Sequence, residues 1–368
     1  MNILLLGRKH IAKSEDIIFA LKNIGIAVDF LLLPNFHYAE SDDGYSVSVS
    51  DGDVQNIPTP TIRSRIFYYV FHSFRILFLL GKYFRKNKYD ILFAVDWFEG
   101  AILLAYRFLF ARKARVVFYG YDYYFFSSRF SSRFIINRID AWVTRHVDEA
   151  WVVNDAICVE RENQGVYARL TKTVPLGISG RNLSWDIRNN RHFLFVGNCK
   201  EGHNLLKLID VFAGLAKVDS QFELTIVGKG NLFESLDERI RKLRVESNIH
   251  LRGFLSEKTL SQEIQAGLFA AGVALYEETP EVAAVDPGKV KEYLSWNLPV
   301  VTTPFNQIAQ DIRDSHIGFV VKDDKLETIA KFFQEVSIED LQCKKKDIPR
   351  YVEAHSFEEI LRRNLLKL

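Results

Sequence analysis

The sequence predicts an α/β protein made of two doubly wound, Rossmann-like parallel-sheet domains facing a central cleft. Three observations carry this. Apolar runs of strand length alternate with amphipathic stretches of helix length, the pattern of parallel sheets layered with helices. The alternation restarts after about residue 190. The 368 residues exceed one ordinary core and fit two.

In the first half, strands are predicted over 2–6, 27–33, 91–94, 116–119 and 149–153, and helices over 14–23, 62–86, 101–111 and 132–146. Residues 38–60 are polar and rich in Ser, Asp and Pro, which predicts a long loop or a small strand excursion. In the second half, strands are predicted over 192–196, 223–227, 250–252, 273–275, 299–302 and 318–321. The helices expected between and after them include 205–216, 232–245, 256–265, 287–296 and 326–336. The stretch near 178–190 holds Gly, Ser, Asn and Arg without periodicity and reads as a linker, dividing a domain over 1–177 from one over 191–355. Residues 356–368 read as a terminal helix.

The segment 285–301 combines several signals. Asp286 suits an N-cap and Pro287 the first helical position, where its missing N–H is not needed. Lys289 and Glu292 are three apart and share a face of the first turns. The N–H groups and partial positive charge of a helix start attract phosphate; Lys289 can hold a diphosphate and Glu292 can accept from ribose hydroxyls. The same signals also fit an ordinary capped helix.

These residues resemble the donor-site motif of GT-B glycosyltransferases of the group 1, family 4-like type, which runs Asp/Asn-Pro-x-Lys-x-x-Glu-Tyr-Leu-x-x-Gly-x-Pro-Val-Val. Asp286, Pro287, Lys289, Glu292, Tyr293, Leu294, Pro299, Val300 and Val301 match, and Asn297 replaces the glycine. Asn is the usual second choice for a left-handed helix terminator. Gly197 after Phe195-Val196, the strand ending at Gly228, and the segment through Phe254 resemble further parts of that donor domain. The resemblance implies a GT-B fold, a terminal helix returning to the first domain, and a nucleotide-sugar donor. Two departures stand out. Asn198 and His203 occupy positions the family gives to Arg and Lys, leaving Lys200 and Lys289 as the nearest cations, and Ala284 replaces a second glutamate.

Charge is uneven although the net value is only +2. Over residues 54–139, fourteen Lys or Arg face four acids, which predicts an anionic partner for the first half. The apolar run 66–81 is too short for the ~20 residues of a membrane span and is interrupted by His72 and Arg75. It reads as a basic, aromatic helix able to lie on an anionic membrane surface, or as a core helix with solvated cations. No nucleic-acid-binding motif accompanies the charge, so nucleic acid is not expected as a partner. Three scattered cysteines argue against disulfides or zinc, and the first residues read as a strand rather than a signal peptide. A cytoplasmic protein, peripheral on the inner face of the cell membrane, is expected.

Glycosyl transfer needs a group to take the acceptor proton and donors to stabilise the leaving diphosphate. Asp96 and Asp122 each follow a predicted strand, where cleft residues gather, and are the candidate bases. Either also suits a helix N-cap or a turn. His10 and Lys13 are weaker acceptor-side candidates. Gly197, Asn198, Lys200, Gly228, Phe254, Asp286, Lys289 and Glu292 are the candidate donor-site residues. No carboxylate–His cluster has metal-ligand spacing, so neither a metal nor a cofactor is expected. The combined expectation is sugar transfer from a UDP- or GDP-sugar to a lipid-linked or surface-glycan acceptor in envelope polysaccharide synthesis. A nucleotide-sugar epimerase of the same fold, or a non-catalytic scaffold in a polysaccharide-assembly complex, are the alternatives.

Overall fold

The computed structural model describes residues 1–9, 13–34, 44–50, 52–60, 62, 64–121, 123, 132–166, 171–181, 183–283 and 286–366. The chain divides into two compact units, Met1–Leu176 with Phe357–Leu368, and Gly177–Ser356.

The first unit contains β1 (Asn2–Arg8), β2 (Ala27–Leu33), β3 (Tyr45–Ser48), β4 (Gln55–Ile57), β5 (Ile91–Val95), β6 (Arg115–Gly120), β7 (Glu149–Val152) and β8 (Thr171–Thr173). Among the described residues they form one sheet in the order β4-β3-β2-β1-β5-β6-β7-β8. All neighbours are parallel except β2–β3 and β3–β4. The predicted loop 38–60 thus holds the strand excursion. Strand order reverses between β1 and β5, the kind of position where open α/β sheets bind ligands.

Alternate residues of β1 feed opposite cores, as the two-residue strand period requires. Leu4 and Leu6 join the side covered by α2 (Arg65–Tyr83), α3 (Trp97–Phe110) and α4 (Ser132–His146). Ile3 and Leu5 join the side covered by α1 (Ser14–Asn23), α5 (Asp155–Asn163) and the final helix α14 (Phe357–Leu365). The terminal helix therefore packs in the first unit, through Phe357, Ile360, Leu361 and Leu365.

The second unit holds β9 (His192–Val196), β10 (Glu223–Val227), β11 (Ile249–Leu251), β12 (Ala271–Ala274), β13 (Val300–Thr302) and β14 (Gly318–Val320). They are all parallel, in the order β11-β10-β9-β12-β13-β14. Its helices are α6 (Leu205–Val218), α7 (Phe233–Leu243), α8 (Glu257–Gln265), α9 (Pro280–Ala283), α10 (Gly288–Ser295), α11 (Ile308–Asp314), α12 (Leu326–Glu335) and α13 (Ile338–Ala354). Here the order reverses between β9 and β12. The segment 178–190, expected to be a linker, belongs to this unit, because Ile178, Trp185 and Ile187 are buried in its core. Trp185 also donates to the Trp296 carbonyl at 3.0 Å.

Candidate functional site

At the carboxyl ends of β9, β10 and β11, three backbone turns interlock. Gly197 follows β9 with φ 144°, and its N–H donates to the Val227 carbonyl at 2.9 Å. Gly228 follows β10 with φ 141° and donates to the Gly253 carbonyl at 2.6 Å. A Cβ on Gly228 would lie 1.9 Å from the Gly197 carbonyl oxygen, so only a residue without a side chain permits this approach. Asn198 and Lys200 are exposed on the turn after Gly197, and Phe254 is exposed after Gly253.

Helix α10 enters this region with a start one step later than predicted. Pro287 is its N-cap (φ −76°, ψ 101°), with no side-chain cap hydrogen bond. Asp286 does not cap the helix; its Oδ2 pairs with Lys291 Nζ at 2.7 Å, and both side chains are nearly buried. Asn297 has φ 57°, the left-handed terminator predicted in place of glycine. Tyr293 fixes the helix to the sheet: its hydroxyl accepts from Val196 N–H at 2.8 Å and donates to the Val273 carbonyl at 3.1 Å. The strand ends after β9 and β12 are thereby tied to α10.

Lys289 points between these strand ends. Its Nζ lies 4.3 Å from the Phe195 ring centroid, 5.2 Å from that of Tyr276, and 3.7 Å from where a Gly197 Cβ would be. The amine is buried and has no hydrogen-bond partner, as is the Tyr276 hydroxyl. Burial first, and then the nearby Lys200 charge, lower the Lys289 pKa to about 7. His203, whose Nδ1 is 2.9 Å from the Asn198 carbonyl, has its pKa lowered to about 3, first by burial and then by Lys289. The imidazole is therefore neutral near pH 7 and adds no charge beside Lys289. A buried, unpartnered amine at the β9/β12 reversal, next to a glycine turn, is suited to an anionic group.

Glu292 is held by a residue the sequence reading missed. Arg181 Nη2 donates to its Oε1 at 2.9 Å, Arg181 Nε pairs with Glu257 at 2.9 Å, and Nη1 reaches Ser295 Oγ. The guanidinium sits 5.2 Å from the Trp296 ring. Arg181 lies 111 residues from Glu292 in an aperiodic segment, so nothing local signals the pairing.

In the first unit, Asp96 follows β5 with φ 83° and caps α3, its Oδ1 accepting from Trp97 N–H at 2.8 Å. Its Oδ2 lies 3.6 Å from Arg8 Nη2, while Arg8 Nε binds the fully buried Glu99 at 2.7 Å. The other base candidate, Asp122, lies outside the described residues, as do His10 and Ala284. Lys13 pairs with Asp16 at 3.6 Å. Among the described residues, no group of three His, Cys, Asp or Glu is arranged to hold a metal, and no helix is long and apolar enough to cross a membrane.

Residues 185–347 match the family Glycosyl transferases group 1. No curated protein sequence matches the chain. Solved structures resemble it throughout. A sucrose-phosphate synthase from Thermosynechococcus elongatus has a TM-score of 0.71 at 14% identity, covering 100% of this chain and 98% of its own. HepE from Anabaena, solved with UDP and glucose, has a TM-score of 0.69 at 14% identity, with both chains covered completely. The apo form of the lipopolysaccharide outer core galactosyltransferase WaaB has a TM-score of 0.63 at 14% identity, again with full coverage of both. The chain thus has the GT-B fold, and its second unit carries the Glycosyl transferases group 1 domain.

Proposed function

We propose that this protein transfers a sugar from a UDP- or GDP-sugar to a hydroxyl of a lipid-linked or surface-glycan acceptor. The observation that carries this reading is the buried, unpartnered Lys289 amine beside the Gly197 turn, within the group 1 domain. The diphosphate binds at Lys289 and the start of α10, where cationic donors stabilise the charge that grows on the leaving group. Glu292, oriented by Arg181, accepts from the ribose hydroxyls. Two of the similar structures point the same way for donor and acceptor: HepE was solved with UDP, and WaaB is named for lipopolysaccharide outer core. No resident cofactor or metal takes part in this scheme, so chelator should leave the rate unchanged. The base is Asp122 or Asp96. Because Asp96 caps α3 and faces Arg8, Asp122 is the preferred candidate. The cationic surface of the first unit sets the protein at an anionic membrane, on the cytoplasmic side where nucleotide sugars are found.

Calorimetric titration with UDP and GDP tests the donor site. Wild type should bind one nucleotide, and Glu292→Ala should weaken it by at least tenfold. Unchanged affinity in the variant overturns the assignment. Turnover of donor without acceptor would instead favour the epimerase.

A further inference from the structure

Between α2, α3 and α4 the first unit encloses a cavity of about 580 Å³, lined by Tyr69, Val70, Ser73, Trp97, Phe98, Ala101, Ile102, Ile135, Ile136 and Ile139. Apart from Ser73 and the Tyr69 hydroxyl, every lining side chain is apolar apart from the indole N–H. Ser73 turns its hydroxyl back to the Tyr69 carbonyl at 2.7 Å. The cavity has a direction: Val70 and Ile135 are exposed, while Trp97, Phe98, Ile102 and Ile136 are buried. Its volume lies within the usual ligand-pocket range of roughly 300–1,000 Å³.

The mouth adjoins an unusual surface. Phe67, Val70, Phe71, Phe74 and Phe78 are all exposed and follow helical spacing, forming one stripe along α2. The charge on the three helices is mostly of one sign. On α2, α3 and α4 the only acids are Glu99 and Asp140, and each is buried against an arginine from elsewhere, Arg8 and Arg161 respectively. Cations Arg75, Lys82 and Arg138 lie on these helices, with Arg85, Lys86 and Lys88 just beyond α2, while Arg107 pairs with Asp148 at 2.6 Å. An apolar stripe flanked by cations is complementary to an anionic lipid surface.

We propose that this cavity takes one hydrocarbon chain of an anionic membrane lipid, its head group remaining at the cationic mouth. The proposal rests on the membrane placement given above and extends it: the chain is drawn from the bilayer into the helix layer, ending at Trp97 beside Asp96. Membrane association then depends on a filled cavity as well as on charge.

Trp97 supplies the readout. In a Trp142→Phe background, which removes an exposed indole on α4, full-length protein is mixed with vesicles of phosphatidylglycerol and phosphatidylcholine whose acyl chains carry bromine. Binding should require phosphatidylglycerol and should quench the fluorescence, and Trp97→Phe should abolish the quenched component. Ala101→Leu and, independently, Ser73→Phe fill the cavity; each should keep the native melting transition, remove the quenching and weaken vesicle binding by about tenfold. Binding without Trp97 quenching, as for a cavity filled by the chain's own residues, overturns the proposal. So does absence of vesicle binding, or self-association that shields Trp97 in its place. UDP titration reports on the second unit independently, so failure here leaves the donor site standing, and failure there leaves the cavity result standing.

Discussion

The Lys289 amine lies between two aromatic rings, and its burial without a hydrogen-bond partner disfavours its charged form. Its folded pKa of about 7 is below the ordinary value of 10.5, so the folded state binds fewer protons between those values. By linkage, this residue's contribution to stability is lowest below pH 7 and rises as pH climbs from about 7 towards 10.5. Replacing the amine by Lys289→Met should stabilise the ligand-free protein at pH 6 by about 1–3 kcal/mol in urea titration, while abolishing UDP binding. Ligand binding has the opposite pH sign. A diphosphate holds Lys289 charged, so UDP affinity should fall by up to about tenfold per pH unit above pH 7, a slope missing in Lys289→Met. A second buried cation behaves differently because it is paired. Arg161 makes two bonds to Asp140, at 2.8 and 2.7 Å, and stacks on Phe118. Arg161→Met leaves the carboxylate alone and should cost about 3–5 kcal/mol by denaturant unfolding. The sequence pointed to Lys289 and Glu292 as candidates because a helix start has a local signature. It could not disclose the rings around the amine or the arginine on Glu292, since both arise from residues distant in the chain.

At the scale of elements, α10 acts through its fixed position against β9 and β12. Tyr293→Phe keeps the ring but leaves Val196 N–H and the Val273 carbonyl unpaired, costing about 1–3 kcal/mol of stability. UDP affinity should fall with it, because Val196 leads directly into the Gly197 turn; melting curves with and without UDP separate the two effects. The parallel strands other than β8 were legible because each is a short apolar run between turn residues, and β2, β9 and β10 have the predicted ends. Other elements were not. β8 is three polar-edged residues, Thr171–Thr173, defined only by its pairing with β7. α13 contains Pro349 and a run of lysines, which interrupt a helical reading; Ser337 and Asp340 nevertheless form a capping box at its start. The aromatic α2 was legible as a helix, but its cavity was not, because three helices are needed to enclose one.

For the molecule as a whole, the charge asymmetry was legible as composition and persists on α2, α3 and α4, whose two acids are both buried against arginines. The division into two units was readable from the restart of the α/β pattern. The second unit starts at Gly177 rather than at 191, because Trp185 and Ile187 bury the aperiodic segment in that unit's core. Each unit has a separate core, so UDP should raise only one of two calorimetric transitions. Removing residues 357–368 takes four apolar side chains, Phe357, Ile360, Leu361 and Leu365, from the core against α1. Each contributes roughly 1.5–3 kcal/mol, so truncation should abolish the first unit's transition while the UDP-sensitive one remains.

The position of α14 also bears on how the chain is made. The first unit lacks a wall of its core until the final helix has left the ribosome, whereas Gly177–Ser356 is contiguous and is finished earlier. Maturation should therefore run against the usual amino-to-carboxyl order, with α1, whose apolar face α14 covers, waiting longest for its partner and depending most on chaperones during synthesis.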